Sequence, residues 1–193
     1  MLFRSRDFIG PVRVEGSGRA IYLTMQLDGQ PAVDVMIFPK AAGEAALQAF
    51  MSYGAAGPLP MPPIMGEYTK PHTRAWSERI ASFDGFVFVT PEYNHGISGA
   101  LKNAIDFVYK EWNNKAAGFV GYGSVGAVRA VEHLRLGLAE CQVATVRSQV
   151  ALSLFADFEN FTVFKPGPSH GKSVSAMLDQ VVAWSRALQS VRA

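Results

Sequence analysis

Cysteine is almost missing: Cys141 is the only one in 193 residues. An intrachain disulfide is therefore impossible and a thiolate metal cluster is excluded. Charge is sparse too. Asp, Glu, Lys and Arg make up 18% of the chain, the formal net charge is +2, and no run of Lys or Arg stands out. Neither nucleic acid nor an anionic membrane is expected as a partner. No apolar stretch reaches bilayer-spanning length and no signal peptide is readable at the N-terminus, so the expected compartment is the cytoplasm. His72, His95, His133 and His170 include no pair one helical turn apart, and no metal site is expected. No internal repeat occurs.

Apolar residues are plentiful. They form 49% of the chain, enough for one sizeable core at a length that fits a single domain. The opening Met1-Leu2-Phe3-Arg4-Ser5 reads as a cloning or assembly remnant with no part in the fold. Residues 11–38 suggest short strands at Val12–Val14, Ile21–Leu27 and Val33–Phe38, with Asp28-Gly29 as a hairpin turn. Ala41–Met51 reads as a short helix and Gly54–Pro63 as a loop.

From Thr73 the pattern alternates between helix and strand. Trp76, Ile80 and Phe83 share a helical face. Phe86–Val89 has the continuous apolar run of a strand buried on both faces. Ala100, Leu101, Ala104, Ile105, Val108 and Trp112 line one side of a helix, with Lys102, Asn103, Asp106 and Lys110 opposite. Gly118–Tyr122 is the next strand, followed by a helix carrying Val131, Leu134 and Leu138. Val146–Leu154 is a further strand, and Val174, Met177, Leu178, Val181, Trp184 and Leu188 form the core stripe of a closing helix. Such alternation implies a parallel sheet covered on both faces. Ligands then bind beyond the carboxyl ends of the strands, near a topological switch point, which singles out Thr90–Ser98 and Gly123–Gly126.

The first of these loops reads Thr90-Pro91-Glu92-Tyr93-Asn94-His95-Gly96-Ile97-Ser98-Gly99. Pro91 fixes φ, while Gly96 and Gly99 let backbone approach a flat ligand. Free N–H groups can donate to a ring edge or to an anion at a helix N-terminus, and Tyr93 offers an aromatic face. Taken alone, Tyr93 and Asn94 also fit a plain turn, and Gly123, Ser124 and Gly126 a plain helix-entry loop. Cys141 reads as a packed hydrophobe and Glu132–Arg135 as a helix-surface ion pair. Trp112 suits either the core or a subunit interface.

Pro-Glu-Tyr-Asn at 91–94, followed by Gly-Ala-Leu-Lys-Asn-Ala-Ile-Asp at 99–106, resembles the signature of the NADPH-dependent FMN reductase family. The resemblance continues through 115–126 and Arg129–Arg135, and from about Pro62 to the C-terminus. It implies a flavodoxin-like three-layer α/β/α fold with a central parallel sheet. It also implies FMN and NADPH as cofactors, with cofactor-binding residues Pro91, Glu92, Tyr93, Asn94, His95, Gly123, Ser124 and Gly126. Backbone donors would meet an edge of the isoalloxazine, and the nicotinamide would stack on its exposed face. No side chain is expected as general acid or base, because the cofactor carries the chemistry. The implied reaction passes hydride from NADPH to FMN and on to a flavin, quinone or similar small-molecule acceptor, in a homodimer or homotetramer.

The family's Gly-Ser-x-Arg-type phosphate loop should precede this stretch. Gly16-Ser17-Gly18-Arg19 is similar to it, but a strand pattern follows where a helix is required. Val33–Phe38, then Pro39-Lys40-Ala41-Ala42-Gly43, then Ala45–Met51 has the right strand–loop–helix order but only Lys40 as a point charge. Residues 1–60 are therefore an atypical segment, either foreign or completing the sheet, and 61–193 the FMN-binding domain. Loss of the phosphate loop would instead leave a flavodoxin-like binding or assembly protein without turnover.

Overall fold

A computed structural model describes residues 13–15, 20–25, 33–38 and 62–192. The expectations for Met1–Ser5, Gly16–Arg19, Asp28–Gly29, the Pro39–Gly43 loop with Lys40, the 41–51 helix and most of the 54–63 loop lie outside the described residues.

Six strands form one sheet in the order β1-β2-β3-β4-β5-β6. They are β1 (Arg13–Glu15), β2 (Ala20–Met25), β3 (Val33–Phe38), β4 (Gly85–Pro91), β5 (Lys115–Gly123) and β6 (Val143–Ser153). The helices are α1 (Pro71–Ala81), α2 (Gly99–Asp106), α3 (Val128–Glu140) and α4 (His170–Gln189). A short hairpin of β7 (Phe158–Glu159) and β8 (Val163–Phe164) follows β6. No described helix is long and apolar enough to cross a membrane.

The sheet is mixed, where the alternation and the resemblance speak only of a parallel one; the antiparallel pairing of β2 with β3 is the one a hairpin between them requires. β1, β2 and β3 pair antiparallel, while β3, β4, β5 and β6 run parallel. A second difference follows. The four parallel strands advance in one direction, with no reversal of order among them. Right-handed crossovers advancing one way place their helices on one face.

That face is the larger core. Ile80 of α1, Ile105 of α2 and Val131, Leu134 and Leu138 of α3 cover Phe86, Phe88, Ala117 and Phe119 of the sheet. Strand alternation turns Val87 and Ala116 to the other side, where Met177, Leu178, Val181 and Val182 of α4 cover them. The result is the three-layer, flavodoxin-like arrangement that the resemblance implies. α4 lies very close to the strands: a Cβ on Gly118 would stand 2.8 Å from Val181 Cγ2, and one on Gly85 2.4 Å from Ser185 Oγ.

The structure corrects two helical readings. α2 stops at Asp106, so Val108 and Trp112 lie beyond it. Trp112 still belongs to the core, fully buried against Phe86, and its indole Nε1 donates to Ile105 O at 3.0 Å. Trp76 Nε1 likewise donates to Ala104 O at 2.8 Å. Two indoles thus satisfy carbonyls that the ended helix leaves open. The second correction concerns Trp184, which is 47% exposed and sits outside the α4 core stripe.

Other residues behave as read. Cys141 is buried at the end of α3, where burial pushes its thiol up. Arg135 does more than pair with Glu132 at 3.1 Å. It also donates to Val146 O at 2.6 Å and lies over the Phe119 ring, tying α3 to the sheet.

Candidate functional site

β4 and β5 end together. Pro91 pairs with Tyr122 in parallel register, so the two chains leave the same edge of the sheet side by side. The first passes into α2, and the second reaches α3 through Ser124-Val125-Gly126-Ala127. All eight residues expected at the site are gathered on this edge.

The loop after β4 is a tight two-residue turn. Tyr93 N donates to Gly96 O and Gly96 N to Tyr93 O, each at 2.9 Å. Asn94 and His95 between them have φ of 50° and 67°. Both central residues at positive φ make the type I′ geometry, for which Asn is well suited. Tyr93 is 53% exposed, so its ring face is open. Ser98 caps α2 by accepting from Leu101 N at 3.2 Å.

The loop after β5 turns through Gly126 N to Gly123 O at 3.2 Å, and Gly123 O also accepts from Leu154 N at 3.0 Å. Gly126 has φ +68°, and a Cβ there would stand 2.6 Å from Ala151 Cβ. Only glycine fits that position. Gly123 differs, because a Cβ there would meet Ala127 N at 3.5 Å and Glu92 Cβ at 3.6 Å. Those distances are ordinary van der Waals contacts, and they put the buried Gly123 between the two loops. Gly99 has no neighbour within 4 Å of the corresponding point. Ser124 is exposed.

Glu92 joins the two loops. Its side chain is only 7% exposed, and its carboxylate pairs with the Arg129 guanidinium and accepts from Ala130 N at 3.3 Å. Burial alone would raise its pKa. The bond from Arg129 and the amides of the first turn of α3 outweigh burial and hold the carboxyl below its usual range. Glu92 therefore caps the N-terminus of α3, whose own N-cap residue Ala127 supplies no side-chain acceptor. Arg129 NH1 also donates to His95 Nε2 at 2.8 Å.

Sequence reasoning missed Arg129 as a member of the site. Its signal was available: a lone acidic residue after one strand and an Arg in the first turn of the helix after the next. It also missed Tyr122, whose buried hydroxyl has no partner among the described residues. Burial, followed by the neighbouring Tyr93, pushes that phenol up to about 12.

These residues fit the isoalloxazine end of a flavin. Among the described residues, the backbone N–H groups of Asn94, His95, Ser124 and Val125 have no partner, and all four lie on the shared edge. A flat ring with acceptors along one side needs such donors, and the exposed Tyr93 stands beside them. The described residues include no phosphate cradle.

The span matched by the family model for NADPH-dependent FMN reductase, residues 37–157, contains both loops. Over 142 residues, 73% of this chain and 69% of the relative, the sequence is 34% identical to the NAD(P)H-dependent FMN reductase ntnL of a Nectria species. It is 45% identical over 94 residues to the NAD(P)H-dependent FMN reductase C4B3.06c of Schizosaccharomyces pombe, and spans 47% of that relative's length. A solved oxidoreductase of Corynebacterium diphtheriae aligns with a TM-score of 0.51, covering 76% of this chain and 87% of its own at 16% identity, a likeness of fold. With the two strand-end loops inside a matched span of this length, the chain belongs to the NADPH-dependent FMN reductase family.

Proposed function

We propose that the chain is an FMN-dependent NAD(P)H oxidoreductase that reduces a flavin, quinone or similar small acceptor. One observation supports this above all: Pro91 and Tyr122 are in register, so the loops that carry amides without a partner among the described residues leave adjacent strand ends side by side. Bound FMN would supply the redox chemistry, taking hydride from NADPH and delivering electrons to the acceptor. The chain's own part is binding and orientation. Amides of Asn94, His95, Ser124 and Val125 would hold the ring edge, Pro91 and Gly123 its plane, and Tyr93 one approach to it. Glu92 and His95 act on this reading through Arg129, and Gly126 by shaping its loop.

The assembly we propose is a homodimer or dimer of dimers, working in the cytoplasm. Tyr93, Val125 and Val128 are 53%, 50% and 42% exposed beside the site, apolar surface of the kind a second copy covers. Light scattering on the eluting protein tests the assembly.

The test of function is an FMN titration followed by flavin fluorescence, then NADPH oxidation with a quinone. Saturable quenching and turnover above the no-enzyme rate are expected. Binding without turnover would leave only a flavin-binding protein, and no binding would refute the site.

A further inference from the structure

Glu92, Arg129 and His95 form a cluster that ligand contact alone does not account for. Glu92 is the buried member, and its oxygens are divided: Oε1 pairs with Arg129, and Oε2 accepts from Ala130 N at 3.3 Å. A carboxylate so placed is costly unless its charge is matched, and Arg129 matches it. On its other side, Arg129 NH1 donates to His95 Nε2 at 2.8 Å. A guanidinium has no acceptor and keeps its protons at any working pH, so the imidazole nitrogen must accept and the ring proton sits on Nδ1. Arg129 is thus committed to two protein partners, one of them an anion. Its charge is already neutralised, which argues against a role in reading a cofactor phosphate.

Glu92 precedes the Tyr93–Gly96 turn and His95 is one of its two central residues, whereas Arg129 belongs to the first turn of α3, just after the Gly123–Gly126 loop. We infer that Arg129 is a positioning residue, fixing the separation of the two loops so that their free amides meet one flat ligand. The inference rests on the reading that these loops hold FMN. A planar fork reaching two partners in different directions is required. Lysine, a single point charge, serves only one of them.

The test is FMN titration by fluorescence quenching on wild-type protein, Arg129→Ala, Arg129→Lys, Glu92→Gln and the Arg129→Ala/Glu92→Gln double variant, with thermal midpoints alongside. Arg129→Ala should raise the FMN Kd about tenfold, the loss expected for one charge-assisted link. Arg129→Lys should restore only part of it. The double variant should bind no worse than Arg129→Ala, since both changes break the same link. A merely structural role predicts affinity losses that follow the midpoints and add between the single variants. Arg129→Lys and Glu92→Gln keep side-chain volume, so the comparison stands even if truncation unfolds the chain. An FMN Kd within about twofold of wild type in every variant that folds would overturn the inference and leave the site standing. Wild-type protein that fails to quench FMN would remove both.

Discussion

Two glycines of the β5–α3 loop separate packing from ligand contact. Gly126 has φ +68°, and an added Cβ would stand 2.6 Å from Ala151 Cβ. Gly126→Ala carries about 1–2 kcal/mol for a left-handed alanine. Overpacking against Ala151 adds about 1–3 kcal/mol. The sum is a loss of roughly 2–5 kcal/mol, and for a chain of this size each kcal/mol lowers Tm by about 2–4 °C. Gly123 lies outside the positive-φ range, and its Cβ would meet neighbours at 3.5 and 3.6 Å. Gly123→Ala should therefore leave stability unchanged or raise it by about 0.4–1 kcal/mol, through the unfolded chain. Its methyl would nevertheless stand between the two loops, so FMN affinity should fall about tenfold. Differential scanning fluorimetry and flavin quenching on both variants read the two effects. If Gly123→Ala keeps both the wild-type midpoint and the wild-type FMN affinity, the ring does not lie against Gly123. An unchanged midpoint for Gly126→Ala would refute the packing argument.

Asn94 has φ 50°, so Asn94→Ala should weaken FMN binding, while Asn94→Gly should retain much of it if backbone geometry is what matters. Flavin titration of the pair decides. Trp112→Ala removes a fully buried indole together with its bond to Ile105 O, and a loss of about 3–5 kcal/mol is expected in urea denaturation. Asp157 is buried and accepts from Ser153 N at 2.8 Å, Gly167 N at 3.2 Å and the His170 ring at 2.7 Å. Burial would raise its pKa, but those donors lower it below the usual carboxylate value. The stability it contributes is therefore complete above the ordinary carboxylate pKa of about 4 and fades as pH falls through its lower folded value. Asp157→Asn should flatten that acid limb in a Tm-versus-pH series, and parallel curves for the two proteins would refute the assignment.

How far the fold was legible depended on what each element asks of its residues. Val33–Phe38 is the same in pattern and structure, because a short segment with Val33, Val35, Ile37 and Phe38 among its six residues suits a strand. The helix at 99–106 was read too long, since Val108 and Trp112 fall at helical spacing yet reach the core from the turns that follow. Periodicity records which side a residue faces and not whether the i to i−4 bonds persist. Trp184 failed for the converse reason: the buried residues of α4, Met177, Leu178, Val181, Val182 and Ser185, centre on a face that leaves position 184 on its flank. The strand–helix alternation speaks only for strands joined by helices; the direction of β2 against β3 was carried instead by the hairpin reading at Asp28-Gly29, and β1 had no such signal.

The site divided in the same way. Pro91, Asn94, Gly123 and Gly126 were visible through the family resemblance, and at Asn94 and Gly126 a positive φ gives the physical reason for the residue. Glu92 and Arg129 were harder, since an acidic residue and an arginine 37 positions apart ordinarily signify two solvated side chains. Only the parallel pairing of β4 with β5 makes them neighbours. The same pairing rule bears on the upstream strand. β3 runs parallel to β4 and ends with Phe38 opposite Phe88, so it points toward the edge where the two loops leave. A strand entering a phosphate-binding loop must run in that direction, and β1, antiparallel to the antiparallel β2, runs that way too. What counts against Gly16–Arg19 is its exit: it leads into the strand β2, where a phosphate-binding loop requires a helix.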